Sequence, residues 1–329
     1  GEDGGGLSIR YTDDFSISGS TISGNSAQRD GGGISFQGVS NIEIDSSAIS
    51  GNSADRRGGG IATYSIFSQA EILKSSISDN VSGESGGGIY ANMLRTPNAK
   101  ITMSQSVISN NSANSLANTG GGGGAYFRFD RNTRFVNSTL SGNSGYRGGA
   151  IYLFRNALSL INTTVSNKHT QSDSHGALTV RDVFAPLNLT LSKSVIANST
   201  NFESASIDCS TTSSLNLHST TSWVEHFDAS YSCVGGGPVP ASIQQGDPGL
   251  GPLVDVGNSK VHIPDDGSGL INAGDTTICA NAPVGGVDQI DDTRGTSSCA
   301  IGAIELPSEA DVFFTLPIGK SSRTITIVL

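Results

Sequence analysis

The chain has 329 residues, a net charge of −10 and only 15 % charged residues, with 43 glycines. An acidic chain of this kind lacks the basic surface that broad binding to nucleic acid or anionic membranes requires. No run of about 20 apolar residues occurs, so no helical bilayer span is expected.

The glycines recur in triplets. They read Gly4-Gly5-Gly6, Gly31-Gly32-Gly33, Gly58-Gly59-Gly60, Gly86-Gly87-Gly88 and Gly122-Gly123-Gly124, then Gly148-Gly149-Ala150 and a worn His175-Gly176-Ala177. The steps are 27, 27, 28, 36, 26 and 27 residues. A period in this range predicts a solenoid or an array. The first triplet starts at residue 4, so the chain opens inside a repeat, as expected of a piece of a longer precursor.

Each repeat carries three short stretches of alternating apolar and polar residues, for example 34–36, 42–44 and 48–49. Alternation with period two predicts strands with one buried side. Three such strands per repeat, with no helical stretch between them, predict an all-β fold: a right-handed parallel β-helix of about seven rungs over residues 1–200. Strand spacing makes this rod on the order of 35 Å long. Glycine suits the corners because a tight corner often needs φ > 0. A second marker, apolar-x-x-Asn, follows the third strand at Asn25, Asn52, Asn80, Asn111 and Asn143. Stacked rungs would turn these into a hydrogen-bonded ladder.

The pattern decays near residue 165. Residues 201–240 lack it and are expected to form an irregular segment capping the open end of the coil, since a solenoid end needs a cover. The first rung has no such cover in sequence, which points to stacking or self-association there. All four cysteines lie late in the chain, at Cys209, Cys233, Cys279 and Cys299. An even count fits two disulfides and an oxidising compartment. Nearest-neighbour pairing, 209 with 233 and 279 with 299, is the expected one of three connectivities. No CxxC or HxxxH spacing supports the rival zinc reading.

Two resemblances enter at this point. The triplets with Ile151 and the apolar-x-x-Asn marker resemble the GGA[ILV] and FxxN repeats of chlamydial polymorphic outer-membrane proteins. Residues 241–329 resemble the choice-of-anchor Q domain of bacterial surface and secreted proteins. The residues that carry the likeness are 249–257 (GLGPLVDVG), 271–275 (INAGD), Cys279, 287–295 (VDQIDDTRG) and 299–305 (CAIGAIE), together with the tail after 311. The family's DQRG is split here by an insertion, and its CDIGAxE lacks the Asp. The resemblance implies an exported protein, extracellular or on a bacterial cell surface, and no catalytic residues.

Alternation places the first and third residues after the triplet's apolar residue on the outer face of one sheet. These positions hold Tyr64, Tyr90, Tyr126, Arg128, Tyr152, Phe154 and Arg181, with Arg155 beside them. Aromatic rings stack on sugar faces, and arginine forks bind carboxylates or sulfates. The face therefore predicts a polysaccharide or cell-surface glycan as partner, in a non-catalytic role such as adhesion or matrix structure. Stacked tyrosines that merely stabilise an exposed sheet are the competing reading. About nine residues are added between Gly86 and Gly122, and they are expected to bulge at 93–99 or 113–121 beside this face.

A polysaccharide lyase is the alternative function. It needs a cation against the uronate and a base for the C5 proton. Arg128 or Arg181 would supply the first, and Tyr126, Tyr152 or His175 the second. A hydrolase would need two carboxylates about 5–9.5 Å apart. Only Asp130 and Asp182 are near the aromatic strips. No cofactor is expected. His169, Asp173 and His175 read as a solvated turn, and a Ca²⁺ site among Asp265, Asp266, Asp288, Asp291 and Asp292 lacks any EF-hand spacing.

Overall fold

The computed structural model describes residues 1–93, 99–115, 120–129, 132–166, 168–170, 176–181, 187–200, 208–211, 215–226, 238–306, 312–318 and 321–327. The chain winds as a parallel β-solenoid. Its strands stack in three long sheets, with a fourth sheet of two- and three-residue strands at a corner. Coil 1 contributes Leu7–Arg10 to the first sheet, Asp14–Ser18 to the second and Thr21–Ser23 to the third. Coil 2 repeats this with Ile34–Gln37, Asn41–Asp45 and Ala48–Ser50, each paired in parallel and in register with its predecessor.

The first and second sheets each hold eight strands, which is seven rung-to-rung steps. The last coil is built from Cys209–Thr211, Leu215–Thr220 and Ser222–Val224. The winding thus enters the segment expected to be irregular. Ile243–Gln244 then joins the third sheet as a ninth strand, and buried Ile243 is part of the core cluster. Among the described residues, this short piece covers this end.

Aliphatic columns fill the interior. Ile34, Ile61, Ile89, Ala125, Ile151 and Leu178 follow one another up the first sheet, and Ile49, Ile77, Ile108, Leu140, Val165 and Ile196 up the third. All are buried. At the other end Leu7, Ile9, Phe15, Ile17 and Ile22 of coil 1 are only half-buried, because their strands are the edges of the three sheets.

The triplets form the corner before the first sheet. Gly31 sits at φ 72°, in the left-handed region that a side chain disfavours. A Cβ on its neighbour Gly32 would lie 2.3 Å from the Ser53 carbonyl oxygen. The first glycine is therefore set by backbone conformation and the second by close approach of the next coil.

The asparagine ladder is present. The Asn52 amide donates to Asn80 Oδ1 at 3.0 Å and also to the Ile22 carbonyl, and Asn80 and Asn111 repeat the arrangement. Each Oδ1 also accepts the backbone N–H of the asparagine one coil below. A second ladder, of serines, runs between the second and third sheets. Ser20, Ser47, Ser75 and Ser106 each donate a backbone N–H to the next serine hydroxyl. This column was hidden in a serine-rich composition.

Residues 248–306 form a separate unit held by the Cys279–Cys299 disulfide, with an antiparallel pair, Leu250–Val256 and Ser259–Pro264, and one short helix, Thr276–Ala280. It lies along the flank of the solenoid, against the outer face of the third sheet. Cys209 is also disulfide-bonded, and Cys233 lies outside the described residues. Val312–Ile318 and Ser321–Ile327 pair as an antiparallel hairpin.

Candidate functional site

The outer face of the first sheet carries the expected columns. Tyr90, Tyr126 and Tyr152 pair Cα to Cα on successive coils, and Asn92, Arg128, Phe154 and Arg181 form the neighbouring column. Tyr64 heads that second column and leans across to Tyr90, with ring centroids 5.6 Å apart. The rings of Tyr90, Tyr126 and Tyr152 stack at 5.3 and 5.0 Å.

Their exposure differs from expectation. Tyr90, Tyr126 and Tyr152 are 2 %, 8 % and 4 % exposed. The alternation correctly put them outside the central core, where they form a cluster of their own. It carried no information on what covers them. Arg57 lies 5.3 Å over the Tyr90 ring, and Gly121 closes on Tyr152, where a Cβ would lie 3.2 Å from Cδ2. These three ring faces stack on one another and are not an open platform for sugar.

What remains open is a cleft of about 260 Å³ lined by Arg57, Glu84, Tyr90, Tyr126, Arg128 and Phe154, with Gly120 at its rim. That is slightly below the usual range for a ligand pocket, so it suits one sugar unit. Two arginines define its chemistry. Arg57 is compensated by Glu84 at 3.0 Å. Burial alone would lower its pKa, but Tyr90, Tyr64 and Glu84 outweigh that and the net direction is up. Arg128 lies 4.8 Å from the Phe129 ring and 5.2 Å from Phe154, and its buried Nε has no acceptor. Among the described residues no carboxylate is within ion-pair reach of Arg128. Arg155 reaches the same two rings at 5.5 Å, so the phenylalanine pair is flanked by two guanidinium groups. Arg181 continues the column one coil on.

The added residues of the long coil flank this face at both ends. Seven residues separate the strands Ile89–Asn92 and Lys100–Ser104, and eleven separate Ser112–Ala113 from Ala125–Arg128. In coil 2 the same connections take three and six residues. The extra length is shared between the two expected positions, although 94–98 and 116–119 lie outside the described residues.

A lyase base is harder to place. Burial first, then Tyr152 and Tyr90, push the Tyr126 hydroxyl up from its ordinary value. Burial and Asp30 do the same to Tyr64, which donates to Asp30 Oδ2 at 2.8 Å. Both directions are opposite to what proton abstraction near neutral pH needs. His175, Asp130 and Asp182 lie outside the described residues.

Two other constellations compete for attention. Ser141 Oγ is 2.8 Å from His262 Nε2, and His262 Nδ1 faces the Gly251 carbonyl at 2.7 Å. A carbonyl only accepts, so Nδ1 carries the proton and Nε2 accepts from the serine. This is nucleophile–base geometry. Both residues are at most 2 % exposed, however, and the pair joins the solenoid to the flanking unit. A larger cleft, of about 700 Å³, lies where that unit overhangs coils 1 to 4. Its Ser20, Ser47 and Ser75 are committed to the ladder, and its Lys74 is paired with Asp291 at 2.7 Å. The smaller cleft holds the cation without a carboxylate partner and is the stronger candidate.

The motifs at 287–295 and 299–305 build the contact between unit and solenoid. Asp288 accepts the backbone N–H groups of Ile290, Asp292 and Glu305. Gln289 accepts from Thr139 at 2.6 Å. Arg294 donates to the Val287, Gly302 and Ala303 carbonyls and to Asn137 Oδ1, and pairs with Glu305 at 3.4 Å. These acidic side chains are therefore engaged within the protein.

The comparisons agree with the winding. The chain is similar to right-handed β-helix regions: a family model described as "Right handed beta helix region" matches residues 2–131. No curated protein and no solved structure matches the chain. The family match ends at residue 131, before the third triplet glycine becomes Ala150, while the β-helix itself continues to Val224.

Proposed function

We propose that this β-helix is an extracellular or bacterial cell-surface protein that binds an acidic polysaccharide without turning it over. The observation that carries the reading is Arg128. It is a guanidinium held over the Phe154 and Phe129 rings, with no carboxylate in ion-pair reach among the described residues, lining a cleft of single-sugar size. A uronate carboxylate or a sulfate supplies the counter-charge. Arg57, paired with Glu84, belongs to the same lining, and the Tyr126 hydroxyl stays neutral. The Cys279–Cys299 disulfide fits an oxidising compartment, and the likeness of the flanking unit to choice-of-anchor Q domains fits export and display.

Affinity electrophoresis in polygalacturonate gels tests the reading. The wild-type protein is expected to be retarded, less so as salt rises. Arg128→Ala should weaken retention about tenfold, the loss of one charge-assisted contact. Absorbance at 235 nm should stay flat throughout. A rise would replace the binding role by lyase activity, and an unretarded wild type would end the acidic-glycan reading.

A further inference from the structure

Outside that cleft, the two most exposed large apolar side chains among the described residues are Tyr11 at 76 % and Phe67 at 57 %. They belong to different coils and meet over one residue. A Cβ placed on Gly38 would lie 2.9 Å from Tyr11 Cδ1 and 3.6 Å from Phe67 Cε2. Both rings therefore lean across the bare backbone of coil 2 and form a single patch. Any larger residue at position 38 would part them.

The turn under the patch is the regular corner after the first-sheet strands. Tyr11, Gly38 and Ser65 occupy it in coils 1 to 3 at φ 53°, 64° and 60°, and Phe129 and Arg155 in coils 5 and 6 at 61° and 57°. Glycine takes that conformation freely, and a side chain does so at a cost. At Tyr11 that cost goes with a ring left 76 % exposed.

The chemistry of the surroundings selects the ligand. No cation lies over either ring among the described residues, so the ring faces are uncovered. The nearby Arg10 is paired with Asp3 at 3.3 Å. The chain neighbours Gln37, Thr12 and Asp13 are polar or acidic. With Arg10 compensated, this setting offers a polyanion little to hold. It suits a flat ligand whose C–H bonds meet the electron-rich ring faces while its hydroxyls reach the polar neighbours. We infer that Tyr11 and Phe67, joined over Gly38, form a second binding site, for the pyranose face of a neutral saccharide.

This site is distinct from the Arg128 cleft, and its test uses different probes and variants. Isothermal titration with cellohexaose, mannohexaose and chitohexaose should show binding of at least one of these neutral hexaoses. Tyr11→Gly should weaken that binding about tenfold while the Tm holds or rises, because glycine relieves the strained φ. Phe67→Ala should weaken it similarly. Gly38→Asn tolerates positive φ but drives a side chain between the rings, and it should also cost affinity. Arg128→Ala should leave it unchanged. The inference is overturned if the wild type binds none of the three, or if the Tyr11→Gly/Phe67→Ala double variant binds as the wild type does. It is also overturned if that variant abolishes a concentration-dependent self-association of a wild type that binds no sugar.

Discussion

At the scale of single residues, the asparagine column shows how one side chain closes several backbone accounts at once. Asn111 Oδ1 accepts from the Asn80 backbone N–H and from its amide, and Asn111 Nδ2 reaches the Ile77 carbonyl and Asn143 Oδ1. Replacing it with alanine leaves a buried N–H and a buried carbonyl without partners, in a residue that is itself fully buried. Asn111→Ala should therefore destabilise by about 2–4 kcal/mol, whereas half-buried Asn25→Ala in coil 1 should cost under ~1 kcal/mol. Urea unfolding of both variants checks the ordering; equal midpoints would mean the ladder is not held inside the coil. The column itself was legible, because only a repeat puts an amide at the same place in five windings. The bonds to backbone were not, since they depend on which way each Oδ1 points.

At the scale of elements, what decides the architecture is the corner between the second and third sheets. In coils 3 to 5 and in coil 7 the turn residue there is Lys74, Gln105, Asn137 and Lys193, all at φ between 45° and 49°. Each reaches the flanking unit: Lys74 and Gln105 meet Asp291, Asn137 meets Val287 and Arg294, and Lys193 meets the Asp275 carbonyl. Coils 1 and 2 carry Gly19 and Ser46 instead, and there the unit only overhangs. None of this was legible. The residues differ in type, lie far from their partners in sequence, and read as turn formers. The DQ–DTRG and CAIGAIE segments were recognisable only as marks of likeness; their work as a fastener needs the solenoid beside them. The burial of the three tyrosines was missed for the same reason, because alternation says which way a strand's side chains face and nothing about the loops above them.

Arg294 is the member of that fastener with the most to lose. Burial lowers its pKa and raises that of Glu305, and each partly compensates the other. Arg294→Met would strand the Glu305 carboxylate and four acceptors, a change expected to cost about 3–5 kcal/mol of docking. Arg294→Lys keeps the charge but not the planar fork and should fall between. Hydrogen exchange at residues 281–305 and at Asn137 reads the result directly. Faster exchange confined to these segments, with the coil 2–4 amides unchanged, is the expected pattern. Unchanged exchange throughout would show that the unit is held by its apolar contacts alone.

At the scale of the whole molecule, the solenoid and its flanking unit are two stacks glued along one side, and the glue includes a buried cation. Lys193 is fully buried, donates to the Asp275 carbonyl at 3.1 Å and touches Cys299 Sγ at 2.5 Å. Burial first, then Arg294, lowers its pKa to about 8, against the smaller upward pull of Glu305 and Asp275. The unfolded chain holds this proton up to about pH 10.4. Between about 8 and 10.4 the unfolded state thus binds more protons than the folded one, and stability must rise with pH across that window. Below pH 8 the cost of burying the ammonium is present in full, on the order of 3 kcal/mol for a shift of this size. The Tyr64 and Tyr126 hydroxyls are raised in the folded protein, so the unfolded tyrosines ionise first near pH 10 and pull stability down there; the lysine slope is therefore read between about pH 8 and 9, where unfolded tyrosines still hold their protons and the disulfide cysteines do not titrate. Thermal melts from pH 7.5 to 9 should show the Tm of the wild type climbing. Lys193→Met, which keeps the volume and removes the charge, should start higher and stay flat. A wild type that loses Tm over the same range would mean that the lysine is ionised and satisfied in the folded protein, and that the contact between the two stacks is an ordinary ion pair.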